Sequence, residues 1–247
     1  MNEFKSQFNQ VQDNKIKYNE EQLKFIQSKL EDSCLLGIPG GGKTASIIGK
    51  IIYHFNIGNI RKNNEFLILS FSRRACHDFI EKGQKQNKKL FNSRNIRTLH
   101  SLAGKILVNI LEKKSSSQDT VIIAANDLVF QHKSQILEMT EFKNLKTIFV
   151  DEAQDISEIQ YNLIKNIQII SGCKVIMVGD PNQNIYQFQN GSDKFLMNHS
   201  SNKYSLIKNY RSSKQIVNFI NQFKPWELLT PKMESTKTKD YDKPKIF

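Results

Sequence analysis

The chain has 247 residues, 38% of them hydrophobic, enough to bury a real core in one large α/β domain with a small appendage. Its 36 Lys and Arg against 24 Asp and Glu give a formal charge of +12, which favours a polyanionic partner such as nucleic acid, although heavy use of Lys, Asn and Ile leaves a merely lysine-rich surface open. Cys34, Cys76 and Cys173 are far apart with no CxxC pair, so neither a disulfide framework nor a zinc site is indicated, and no apolar run approaches the length a membrane span needs. An intracellular, reducing location and no membrane partner are therefore expected.

The short apolar runs Ser33–Ile38, Phe66–Phe71, Thr147–Asp151 and Lys174–Gly179 are predicted to be buried strands, with Cys34 and Cys173 lining them. Helical patterns fall between them. That alternation predicts a parallel sheet covered on both faces, with ligands at the carboxyl ends of its strands.

The first run hands over to Gly37-Ile-Pro39-Gly40-Gly41-Gly42-Lys43-Thr44-Ala45, a glycine-rich phosphate loop between a strand and a helix opening at Lys43. Glycines let backbone N–H groups wrap phosphates, Lys43 reaches the outer phosphates, and the Thr44 hydroxyl can ligate Mg²⁺. The pattern predicts binding of a nucleoside triphosphate.

Leu102–Leu145 reads as a few helices broken by the polar stretch Glu112–Asp119, and is taken as a small insertion. The next strand ends in Asp151-Glu152-Ala-Gln154-Asp155. Adjacent acids there form a Walker B arrangement, in which Asp151 can hold Mg²⁺ and Glu152 can orient and deprotonate water. Asp155 can also be read as a helix cap. After Phe223, prolines and charges with little apolar periodicity predict a linker or an incomplete domain.

With these motifs on the page, the chain resembles the UvrD/Rep-type helicases of superfamily 1 over most of its length. Asn19-Glu-Glu-Gln22 is similar to the family's Q motif, which implies that Gln22 reads adenine. Leu67-Ile-Leu-Ser-Phe71-Ser72-Arg73-Arg74 resembles motif Ia and Arg97-Thr98-Leu-His100 the next DNA-contacting motif, which places Phe71, Ser72, Arg73, Thr98 and His100 on a single strand. Asp151 to Asp155 matches the family's DExQD, and implies a nucleotide contact for Gln154. Asp180-Pro-Asn-Gln183-Asn-Ile-Tyr186-Gln-Phe188 resembles motif III, in which Gln183 couples the γ-phosphate to the DNA site beside Tyr186 and Phe188. Asn209-Tyr210-Arg211 resembles motif IV, with Tyr210 stacking on the base and Arg211 reaching the γ-phosphate. Read without the family, Phe71 can be core, His100 a satisfied buried histidine and Tyr210-Arg211 a surface pair.

The resemblance implies a RecA-like P-loop NTPase fold: a first RecA-like domain over 1–101 and 147–203, a reduced helical insertion over 102–146, and the beginning of an incomplete second RecA-like domain over 204–247. It implies ATP and Mg²⁺ as cofactors, single-stranded nucleic acid, DNA before RNA, as partner, and a second chain that completes the site. Tyr241–Phe247 looks like an early strand of that second domain, and motifs V and VI do not follow it. Motif Ia usually carries Asn-Lys where this chain has Arg73-Arg74, and motif III usually ends Trp-Arg-Gly where it has Phe188-Gln189-Asn190-Gly191. Two functions follow: an ATP-dependent DNA helicase or its N-terminal ATPase part, and, as the alternative, a hydrolysis-impaired, nucleotide-dependent regulatory subunit.

Overall fold

The computed structural model describes residues 16–111, 118–183, 192–223 and 232–237. Helix α1 (Glu20–Gln27) begins where Asn19 and Gln22 close a reciprocal capping box, and it buries Phe25 and Ile26. Strand β1 (Ser33–Gly37) is buried along its whole length and turns through the glycines into α2 (Lys43–Asn56). The chain continues as β2 (Phe66–Ser70), α3 (Arg73–Gln84), β3 (Ile96–Thr98), α4 (Leu99–Leu111), α5 (Gln118–Gln131) and α6 (Lys133–Glu138). Then follow β4 (Thr147–Val150), α7 (Glu158–Ser171), β5 (Lys174–Gly179), α8 (Lys194–Asn198), β6 (Lys203–Leu206), β7 (Lys208–Asn209), α9 (Lys214–Phe223) and β8 (Glu234–Ser235).

Six strands form one parallel sheet in the order β3-β2-β4-β5-β1-β6, and β7 pairs with β8 in a small second sheet. The four predicted strands are present, each within a residue of its expected end. Successive side chains alternate between faces. Ile148 and Val150 join Leu67, Leu69 and Met177 under α4, α5 and α7, whereas Phe149 joins Ile68, Ile176 and Val178 under α1, α2 and α3. This is the doubly covered RecA-like arrangement the apolar runs predict.

The division along the chain differs from expectation at two points. Residues 204–206, expected as the opening of a second domain, continue a strand from Lys203 that pairs in parallel with β1: Cys34 faces Lys203 and Gly37 faces Leu206. The first sheet therefore runs to Leu206. The second point is how the segment expected as an insertion packs: α4 starts at Leu99 and carries Leu102, Ala103 and Ile106 straight into the core under the sheet, joined by Ile122 and Val129 of α5. With α7 it forms one of the two covering layers. Residues 112–117 and Tyr241–Phe247 lie outside the described residues. Cys34 and Cys173 are buried as expected, and among the described residues no helix is long and apolar enough to cross a membrane.

Helices α1 and α2 are joined by a buried polar cluster. Lys50 of α2 donates to the carbonyls of Phe25 (2.9 Å), Ser28 (2.7 Å) and Lys29 (3.2 Å), capping the end of α1. Burial lowers its ammonium to about 7. Beside it, His54 Nε2 donates to the Ser28 carbonyl at 2.9 Å, so Nδ1 accepts from Asn59 Nδ2 at 3.0 Å and the ring is the neutral tautomer. Burial, then the Lys50 charge, lowers His54 to about 4. The unfolded chain takes up this proton near pH 6.5 and the folded chain only near 4, so stability falls as pH drops through that window. The loss is at most about 3 kcal/mol. In denaturant unfolding at pH 7 and pH 4.5, His54→Gln is expected to remove this part of the acid loss; an unchanged difference between the two pH values in the variant rejects the assignment.

Candidate active site

The carboxyl ends of β1 and β4 border a cleft of about 400 Å³ lined by Gly40, Gly41, Gly42, Lys43, Thr44 and Ala45 on one side and Asp151 and Glu152 on the other, with Tyr210 and Arg211 at its edge. The loop is shaped by its glycines. Gly42 has φ +87° and immediately precedes α2, and a Cβ there would lie 2.5 Å from the Gln22 amide nitrogen, so only glycine fits. No side chain caps the N-terminus of α2, which leaves its first backbone N–H groups directed at the cleft. Lys43 lies along Gly37, to whose carbonyl it donates at 3.1 Å.

Residues far away in sequence brace the loop. Asn209 Nδ2 donates to the Pro39 carbonyl at 2.8 Å and the Tyr210 N–H to the Gly40 carbonyl at 3.0 Å. Asn209 Oδ1 in turn accepts from the N–H groups of Arg211 and Ser212. Gly37 and Pro39, expected to touch the nucleotide, lie behind the cleft, where one accommodates Lys43 and the other anchors Asn209.

On the opposite wall Asp151 is buried. Burial, then repulsion from Glu152, raises its pKa, and Lys43 works in the other direction. Glu152 has left-handed backbone, φ 52° and ψ 44°, at the turn out of β4 into a short 3₁₀ turn. That conformation costs a bulky residue about 1 kcal/mol. It is held by Gln154, whose Nε2 donates to Glu152 Oε2 (2.9 Å) and Asp155 Oδ2 (3.1 Å) and whose Oε1 accepts from the Asp180 N–H (3.1 Å).

Gln154 is therefore a correction: it is 2% exposed, packed against Gly179, and does not line the nucleotide cleft. Its fully bonded amide instead links the end of β4 to the end of β5, and Gln183 Nε2 continues the link to Asp180 Oδ2 at 2.7 Å. Asp155 is a second correction. The cap of α7 is Ser157, in a capping box with Gln160, while the Asp155 carboxyl is pushed up to about 6 by burial and then by Glu152.

A second cleft, about 800 Å³, opens at the carboxyl ends of β2, β3 and β4 and is lined by Phe71, Arg73, Thr98 and His100 together with Ser101, Asp155 and Gln160. Phe71 is 45% exposed, so it is not core. Ser72 does not line this cleft: its hydroxyl caps α3, accepting from the Ala75 N–H at 3.1 Å. Glu141, buried, pairs with Arg97 and Lys105 and so fastens β3 to α4 on either side of Thr98 and His100. Tyr186 and Phe188 lie outside the described residues. Asp151 and Glu152 line both clefts and form the wall between them.

Lys82 and Gln86 also line the first cleft. Sequence reasoning missed them because Lys82, on the amphipathic α3, reads as part of its solvated face, and Gln86, in the turn after that helix, as part of a polar loop.

A family model described as an AAA domain matches residues 22–189, more than half of the chain. A putative ATP-dependent DNA helicase of Acanthamoeba polyphaga mimivirus, R568, is 32% identical over 218 residues, covering 85% of this chain and 31% of that protein. DNA helicase II of Haemophilus influenzae is 35% identical over 98 residues, 38% of this chain and 13% of that one. The chain thus spans a third or less of the length of these two relatives. Among solved structures, a Pif1 helicase from Candida albicans aligns with 78% of this chain and 40% of that chain at 15% identity and a TM-score of 0.48. By the family match across residues 22–189, the chain belongs to the AAA domain family.

Proposed function

We propose that this chain is the ATP-hydrolysing motor part of a UvrD/Rep-type DNA helicase or translocase, which binds MgATP in the first cleft and single-stranded DNA in the second. The observation that carries the reading is the shared wall: Asp151 and Glu152 border both clefts, so a change at the phosphate end is felt at the strand end. In this reading residues 16–206 form the first RecA-like domain.

Lys43 and Arg211 hold the outer phosphates, the loop N–H groups wrap the inner ones, and Lys82 adds a cation. Thr44 and Asp151 fit a magnesium ion. They face one cleft, and the Asp151 carboxyl, crowded by Glu152, is relieved by a cation. Such an ion would be held by few protein oxygens together with phosphate. When bound, the ion offsets charge on the phosphate oxygens. Glu152 accepts the proton of the attacking water at its carboxylate, and Gln154 fixes the direction of that carboxylate. Through Asp180, Gln183 reports the same geometry toward the strand.

On the second cleft Phe71 stacks on a base, and Arg73, Thr98 and His100 hold the backbone, so binding tolerates sequence and weakens with salt. Phosphate release with and without single-stranded DNA tests the whole reading. Stimulation is expected, declining from 50 to 200 mM salt, and Phe71→Ala is expected to weaken DNA affinity by about 1–3 kcal/mol, the worth of one stacked base. Nucleotide binding without DNA-stimulated turnover favours the hydrolysis-impaired regulatory alternative.

A further inference from the structure

Gln22 and Tyr210 stand 188 positions apart in sequence, yet one side chain touches both. The Asn19 Oδ1 accepts from the Gln22 N–H at 2.8 Å and the Asn19 N–H donates to Gln22 Oε1 at 3.0 Å, so the glutamine amide is turned with its nitrogen toward Gly42 of the phosphate loop. The remaining Asn19 atom, Nδ2, donates to the Tyr210 hydroxyl at 2.6 Å. Both polar atoms of one amide are thereby used. Two further bonds keep the register: Glu21 Oε2 accepts from the Ile207 N–H at 2.9 Å, and the Tyr210 N–H is tied to Gly40. The Tyr210 ring is 39% exposed at the edge of the nucleotide cleft.

We propose that Asn19 is a positioning residue for the nucleotide base: it locks the Gln22 amide and the Tyr210 ring into one rigid frame beside the phosphate loop and sets the base-dependent part of nucleotide affinity. The inference rests on the MgATP reading above and adds to it a residue that contacts no phosphate. A helix cap alone accounts for the bonds to Gln22. It does not account for the bond to Tyr210, which contributes nothing to α1 and crosses to the segment after β6.

Three substitutions separate the two roles. Asn19→Ser keeps a cap of similar strength but is too short to reach the tyrosine hydroxyl. Tyr210→Phe removes the same bond from the other side. Asn19→Asp keeps the cap and offers a second oxygen to the tyrosine hydroxyl as donor. With the full chain, Asn19→Ser is expected to raise the KM for MgATP about three- to tenfold, the worth of one hydrogen bond, with kcat little changed. Asn19→Asp is expected to restore most of the loss. Inhibition by inorganic triphosphate, which has no base, is expected to be equal in wild type and Asn19→Ser. The double variant is expected to be no weaker than Tyr210→Phe alone, because both changes delete one interaction. Additive losses, or an equal loss for triphosphate, overturn the inference. Direct MgATP binding by wild type separates the two levels: no binding sinks the nucleotide reading and this inference with it, whereas tight binding that Asn19→Ser leaves unchanged sinks the inference alone.

Discussion

Glu152→Gln is expected to lower ATP turnover by about two to four orders of magnitude, the usual contribution of a positioned general base, while leaving ATP binding intact. The substitution is nearly isosteric, and Gln154 still offers its Nε2 to the carbonyl oxygen of the new amide, so the strained turn after β4 keeps its support. What disappears is the proton acceptor. Removing a negative charge from the wall facing the phosphates also tends to tighten nucleotide binding, because that wall otherwise carries two acids against Lys43. Steady-state phosphate release measured beside equilibrium ATP binding checks both halves. Turnover within about tenfold of wild type rules out Glu152 as the base.

Lys43→Ala is expected to have the complementary effect, a loss of ATP affinity of roughly ten- to more than a hundredfold, corresponding to one charge-assisted contact of about 1.5–3 kcal/mol. The fold has little reason to respond. Lys43 is half-buried and its hydrogen bond is to the Gly37 carbonyl of its own loop, while α2 packs through Ile47, Ile48 and Ile51. Because Phe71, Arg73 and Thr98 sit in the other cleft, affinity for single-stranded DNA without nucleotide should be retained. Isothermal titration with ATP and fluorescence anisotropy with labelled DNA separate the two. Parallel loss of both, with a lowered unfolding midpoint, would mean that the lysine is structural.

The phosphate loop and the paired acids were legible because each depends on a short run of neighbouring residues whose chemistry has few other uses. The four central strands were legible for a related reason, since strands buried on both faces must be apolar throughout. The edge strands failed that test. In β3 Ile96 is buried but Arg97 and Thr98 are only half-buried, and β6 reads Lys203-Tyr-Ser-Leu206 with one fully buried residue, so neither shows a strand signal without its neighbour. That omission also misplaced the domain boundary. Gln154 was misread for a different reason: the motif fixes that a glutamine is present, and only the approach of Gly179 and the Asp180 N–H to its oxygen decides that it faces inward. Asn19 reads in sequence as an ordinary cap, and its bond to Tyr210 exists only because the chain returns after β6 to the mouth of the cleft.

The position of β1 in the sheet bears on how the protein is made. Its neighbours on either side come late in the chain, since Ser33 aligns with Ile176 and Cys34 with Lys203. A chain emerging from the ribosome holds Leu35 and Leu36 early and gains nothing to pair them with until β5 is out, and the second edge is covered only when β6 follows. Until β5 and β6 have emerged, the phosphate-loop strand is an apolar strip with two open edges, the kind of segment that nascent-chain chaperones hold and that aggregates when they are absent.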